Sequence, residues 1–181
     1  MRGSTSVFTR SATGEDLDQF IDVRLRALGD SPFAFGSTAE REREFGRDTW
    51  ATVLARVLRG GTLMLAVDGQ RVVGMARGEP WEGRPRVGGL FGMWVDPAHR
   101  GSGVGRRLVD GALAWATSAG TIAVELDVTL GNLPAIRLYQ ACGFRDTGER
   151  SPMPRDPSIL EMRMRLELPG PPHASATLPG Q

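Results

Sequence analysis

Residues 87–116, VGGLFGMWVDPAHRGSGVGRRLVDGALAWA, pass from an apolar run into a helical repeat through a turn that holds Gly101, Gly103 and Gly105. Arg100 precedes these glycines, and Arg106 and Arg107 follow them. A strand that enters a helix this way leaves the first N–H groups of the helix pointing outward. The helix dipole favours negative charge there, and the missing Cβ atoms let an anion approach the backbone. The turn therefore reads as an anion site between a strand and a helix; the alternative is a glycine turn that only packs the helix on the sheet, and Arg100, Arg106 and Arg107 favour the site.

Three phosphate-binding patterns can be tested against it. A nucleotide P-loop needs a lysine after its second glycine, and the chain contains none, so that pattern fails. A dinucleotide loop needs G-x-G-x-x-G, but counting from Gly101 or Gly103 the third glycine position holds Arg106 or Leu108. Arg-x-x-Gly-x-Gly, with Arg100, Gly103 and Gly105, does fit. Three arginines suit a ligand carrying several phosphates, Arg107 being the one that reads equally well as a solvated charge.

The rest of the chain supplies the sheet. SVFTR (6–10) reads as a first strand, and Thr13 as the cap of a helix running to about Leu28. GDSPFAFGS (29–37) reads as a loop carrying Phe33 and Phe35 outward; 38–59 reads as a second helical region, broken near Gly46 and recapped at Asp48. TLMLAV and QRVVGMAR, joined through Asp68-Gly69, form a hairpin, and EPWEGRPR (79–86) a polar loop. VGGLFGMWV (87–95) is a strand, and Gly103 to about Ser118 a helix. In TIAVELDVT (121–129), Ile122, Val124, Leu126 and Val128 alternate with Ala123, Glu125, Asp127 and Thr129. Asn132 caps a helix closed by Gly143, and two strands end the fold. The class is a mixed-sheet α/β or α+β sandwich. Residues 1–168 make one domain, and PGPPHASATLPGQ (169–181) reads as a disordered tail.

The Arg100–Gly105 loop resembles the pyrophosphate loop of the GNAT superfamily of coenzyme A-dependent N-acetyltransferases. Residues 124–144, VELDVTLGNLPAIRLYQACGF, are similar to that family's fifth strand and fourth helix, with Asn132, Ala135, Tyr139 and Gly143-Phe144 in the family's order. Two independent segments in register are a far more specific signal than either alone. The resemblance implies a mostly antiparallel central sheet flanked by helices, with the fourth and fifth strands splayed. It also implies acetyl-CoA as cosubstrate, an amine as acceptor, and no metal.

Residue by residue, the resemblance places the pantetheine arm along the backbone of Met93, Trp94 and Val95. It places the pyrophosphate on Arg100, Gly101, Ser102, Gly103, Val104, Gly105 and Arg106, and a further cofactor contact on Asn132. Tyr139, the only tyrosine, takes the role of general acid toward the departing thiolate, for which a phenol protonated at neutral pH is suited. The family's carboxylate on the fourth strand is missing, since that position reads Leu90-Phe91-Gly92. Asp127 is the candidate base, acting through a water, with the alternative that Glu125 and Asp127 face solvent or an arginine.

Acceptor choice falls to residues 28–37, with Phe33 and Phe35, to 150–158, and to Glu79, which would attract an ammonium. A small-molecule amine is the first reading. A protein or peptide N-terminus and a non-catalytic acyl-CoA-binding regulator are the alternatives. A net charge of +1 gives no general reason to expect nucleic acid or membrane as partner. One cysteine excludes an internal disulfide, and no segment reads as a leader or membrane span, so the expected compartment is the cytoplasm. A homodimer is compatible with all of this.

Overall fold

The computed structural model describes residues 7–169; Ser6 of the expected first strand and all but the first residue of the expected tail lie outside that range. The chain runs β1 (Phe8–Ser11), α1 (Leu17–Asp30), α2 (Ala39–Arg43), α3 (Arg47–Gly60), β2 (Thr62–Asp68), β3 (Arg71–Pro80), β4 (Val87–Val95), α4 (Val104–Ser118), β5 (Ala123–Thr129), α5 (Leu133–Ala141), β6 (Arg145–Met153) and β7 (Asp156–Glu167). One sheet of seven strands has the order β1-β2-β3-β4-β5-β7-β6. All neighbours are antiparallel except β4 and β5.

Each face of this sheet has its own core. In β2, Leu63, Leu65 and Val67 pack with Phe20, Val23, Ala27 and Leu28 of α1 and with Trp50, Leu54 and Val57 of α3. Met64 and Ala66 point the other way, onto Val104, Leu108, Ala112 and Ala116 of α4. A strand buried on both faces must be apolar throughout, which is why TLMLAV shows no alternation. In β5, Val124, Leu126 and Val128 share the α4 face with Tyr139 and Phe144, while Glu125, Asp127 and Thr129 face away from it.

Several local expectations are refined. Thr13 caps a single 3-10 turn (Gly14–Asp16), reciprocated by the Asp16 side chain, and α1 follows and continues to Asp30. The break near Gly46 is complete: α2 and α3 are separate helices, and Gly46, not Asp48, stands at the N-cap of α3. The hairpin turn proper is Gly69-Gln70, with Asp68 paired to Arg71 and Gly69 at φ 60°.

The feature that makes a site is the failure of β4 and β5 to stay together. They pair only at Val87–Ala123, Gly88–Val124 and Gly89–Glu125, after which β5 continues against β7 alone. Opposite, on the β3 side, Gly92 and Met93 of β4 face the single residue Ala76, a bulge with Gly92 at φ 60°. The bulge bends β4 away from β5 and opens the sheet from within.

At the α3–β2 junction, a Cβ on Gly61 would lie 2.3 Å from the Gly78 carbonyl oxygen and 2.9 Å from that of Val57, whereas one on Gly60 meets only Pro80 at 3.8 Å. Gly61→Ala is therefore expected to cost about 1–3 kcal/mol in urea unfolding. Gly60→Ala, inside the helix, should be neutral or stabilising.

Candidate active site

The gap between β4 and β5 opens into a cavity of about 780 Å³. Its walls include Leu90 to Val95 of β4, Asp127 to Thr129 of β5, and Asn132, Ala135 and Tyr139 of the α5 segment. At one end lies the glycine turn. Gly101 and Gly103 have φ of 75° and 80°, and Gly103 is the N-cap of α4. Among the described residues the N–H groups of Gly101 to Arg106 donate to no backbone or side-chain acceptor; the first N–H used is that of Arg107, to the Gly103 carbonyl. Six consecutive free donors at the positive end of a 15-residue helix fit a multiply charged anion.

Gly105 serves a different purpose. A Cβ there would approach Leu138 at 3.1 Å and Met93 at 3.2 Å, so its absence lets α4 seat against α5 and β4. Ser102 fixes the turn by donating its hydroxyl to the His99 carbonyl at 2.6 Å, and its side chain is not part of the cavity wall. Val104 is buried in the core and contributes to the site only through its backbone.

The loop arginines are already partnered. Arg100 donates Nε to the Val95 carbonyl at 2.9 Å and is ion-paired to Asp30, which also accepts from Trp94 Nε1 at 2.9 Å. Burial pushes the Asp30 carboxyl up, but the hydrogen bonds from Ser31, Trp94 and Arg100 outweigh it and hold its pKa low. Arg106 bonds Asp110 and the Ala141 carbonyl, and Arg107 reaches only the Val7 carbonyl, at 3.4 Å. Arg100, Gly101, Gly103, Gly105 and Arg106 line the cavity. Asn132 caps α5, its Oδ1 accepting from the Ala135 N–H at 3.3 Å, and also lines the cavity.

The expected acceptor elements separate. The loop at 31–35 and the β6–β7 hairpin are tied together by Arg155, which donates to the Pro32 carbonyl at 2.7 Å and the Phe35 carbonyl at 3.3 Å. Phe35 belongs to the cavity wall, but it is buried beneath Arg24 rather than turned outward. Phe33 is 70% exposed and lies outside the wall, with its carbonyl held by Thr129. Glu79 is also outside the wall, 3.4 Å from Arg77. Asp127 is at the cavity, with both oxygens engaged by Arg163 at 2.9 and 3.0 Å. Glu125 is buried between Arg84 and Arg165.

Four charged cavity residues had escaped the sequence reading: Arg24, Arg137, Arg77 and Glu161. The last two were legible in principle. Arg77 ends the apolar run Val72 to Ala76 of its strand, and Glu161 begins the polar phase Glu161, Arg163, Arg165 of ILEMRMRLEL.

With this geometry in place, the comparisons with known proteins become informative. The acetyltransferase (GNAT) family matches residues 24–144, more than half of the chain. The chain belongs to the GNAT family.

Mycothiol acetyltransferase of Acidothermus cellulolyticus is 31% identical over 141 residues, covering 75% of this chain and 43% of the relative. Human N-acetyltransferase 8 is 35% identical over 94 residues, covering 50% of this chain and 41% of the relative. The chain thus spans less than half the length of these curated GNAT relatives. Among solved structures, yncA of Salmonella typhimurium with its cofactor acetyl-CoA superposes with a TM-score of 0.74, at 22% identity, covering 94% of this chain and 99% of that one. These likenesses extend the GNAT fold over nearly the whole chain. Among the described residues no group of metal-ligating side chains occurs, and no helix is long and apolar enough to cross a membrane.

Tyr139 stands on α5 with its ring edge-on to Phe144 at 5.9 Å. Its hydroxyl makes no hydrogen bond among the described residues, and the residue lines the GNAT cavity. Burial, with a smaller contribution from Cys142, pushes the phenol well above its ordinary pKa of 10.0. The folded state then keeps a proton that the unfolded chain loses, so stability falls as pH rises above 10.0. Because Tyr139 is the only tyrosine, tyrosinate absorbance should show no step near pH 10.0 in the native protein and a full step after unfolding.

Proposed function

We propose that this protein transfers an acetyl group from acetyl-CoA to the primary amine of a small molecule. The observation that carries the reading is the line of six free N–H groups, Gly101 to Arg106, leading to a gap in the sheet beside an unbonded tyrosine hydroxyl. The donor set suits a pyrophosphate, and the gap beyond Gly89 leaves β4 backbone at Met93, Trp94 and Val95 without a strand partner on the β5 side. Bound there, acetyl-CoA supplies an acetyl group already activated as a thioester. Arg100 and Arg106 add positive charge at the loop, and Asn132 offers a polar contact from the α5 cap.

The chain's own residues account for the proton movements. Tyr139 keeps its phenolic proton through neutral pH and gives it to the departing sulfur. An attacking amine must lose a proton. Asp127 lies at the cavity, but both its oxygens are already hydrogen-bonded by Arg163. Glu161, also on the wall, has no ion-pair partner among the described residues; burial, with the charge of Asp127 behind it, raises its pKa. Of the two carboxylates Glu161 is the one left free of an ion pair to take that proton, directly or through a water, with Asp127 positioned beside it.

Calorimetric titration of acetyl-CoA tests the loop. Gly103→Asn and Gly103→Asp both tolerate the positive φ, so they differ mainly in charge. The Asn variant should bind within a few fold of wild type, and the Asp variant at least about ten-fold more weakly. Tyr139→Phe should leave affinity nearly unchanged and lower turnover about a hundred-fold or more. An equal loss of affinity would make Tyr139 a packing residue. Binding without release of coenzyme A to any amine would favour the regulator over the enzyme.

A further inference from the structure

One cation in the cavity is unlike the others. Arg24 is spent on Glu42, with hydrogen bonds of 2.9 and 2.7 Å, and stacks over Phe35 at 5.0 Å. Arg100 is spent on Asp30 and Arg106 on Asp110 and the Ala141 carbonyl, while Arg137, without an ion-pair partner among the described residues, is exposed on α5. Arg77 has only Glu79, at 3.4 Å, and its guanidinium makes no hydrogen bond among the described residues. It is half-buried at the cavity wall; burial lowers its pKa, Glu79 opposes this, and Arg24 and Arg56 push the same way as burial. A half-buried guanidinium at a cavity wall, with most of its five donors unused, is available to an anion that enters the cavity.

The placement of Arg77 shows where such an anion would lie. It sits on β3 opposite Phe91 and lines the cavity where β4 bulges. A Cβ on Gly92 would come 3.1 Å from Arg77 Nε, so the glycine of the bulge is what allows the guanidinium to lie against β4. Glu161 stands on β7, opposite Thr129 at the end of β5, and lines the same space. The cavity thus holds a cation with free donors on the β3–β4 side and an unpaired carboxylate on the β5–β7 side.

We infer that Arg77 is a specificity residue that binds an anionic group, a carboxylate, carried by the same molecule as the acceptor amine, so that the acceptors are free amino acids and their close analogues. The inference rests on reading the cavity as an acetyl-transfer site. It separates acceptors that the cavity shape alone does not: a polyamine brings no anion for Arg77 to bind, and an internal peptide unit brings no carboxylate.

The test is equilibrium binding to the coenzyme A-loaded protein of glycine, leucine and phenylalanine, each beside its own α-carboxamide, with spermidine as a third arm. At least one free acid should bind about ten- to a hundred-fold more tightly than its amide, the range for a charge-assisted hydrogen-bonded pair. That preference should shrink to about two-fold or less in Arg77→Gln and return in part in Arg77→Lys, while acetyl-CoA affinity stays within a few fold.

Acids and amides binding the wild type alike, or spermidine binding better than either, overturns the assignment without any variant. So does an unchanged preference in a folded Arg77→Gln protein. Coenzyme A release is measured in parallel. Acids that bind through Arg77 but are never acetylated would leave this assignment standing and remove the transfer reaction instead.

Discussion

Everything in this protein turns on three residue pairs. Val87, Gly88 and Gly89 hold β4 to β5, and beyond them the two strands diverge. Opening a sheet in its middle exposes backbone donors and acceptors that a continuous ladder would satisfy, and such groups are expensive to leave bare. The divergence is tolerable because each strand keeps its outer neighbour: β4 stays on β3 through the bulge, and β5 stays on β7 over its full length. The separate cores on the two faces keep the halves rigid while the gap between them stays open.

Electrostatics then divides the cavity. At the glycine turn the positive character comes mainly from backbone N–H groups, since Arg100 and Arg106 are tied to Asp30 and Asp110. Those pairs hold the loop in shape: Arg100 joins it to the end of α1 through Asp30 and Trp94. On the β5–β7 side charges are dense but mostly matched. Glu125, 2% exposed, sits between Arg84 and Arg165, which is how a carboxylate survives burial on an internal strand. Against that matched background, the incompletely paired Arg77 and the unpaired Glu161 stand out as half-buried charges on the cavity wall.

How much of this was readable beforehand follows from the range of each interaction. The glycine turn, the β2–β3 hairpin, α4 and the Asn132 cap depend on residues within a few positions of one another, and the sequence pattern placed all of them closely. The splay was anticipated only through the family resemblance, because no local signal marks the point where β4 leaves β5; Gly92 has the composition of a bulge, but so does any strand glycine. The side-chain partners were not legible. Asp127 meets Arg163 only because β7 inserts between β5 and β6, and Phe35 is buried only because Arg24 reaches over it from α1. Arg77 was passed over for Glu79, two residues on, since strand phase alone does not say which charge the helices will cover.

One property of the ion pairs bears on the chemistry proposed. Except at His99, every cation in them is an arginine, and the 181 residues include no lysine. A guanidinium stays protonated at any pH a folded domain tolerates and is a very poor nucleophile. An acetyl thioester held in the cavity as proposed would therefore meet no lysine amine among these residues. The arginines that add to the cavity's positive character would then draw the donor in without competing for its acetyl group as lysines could.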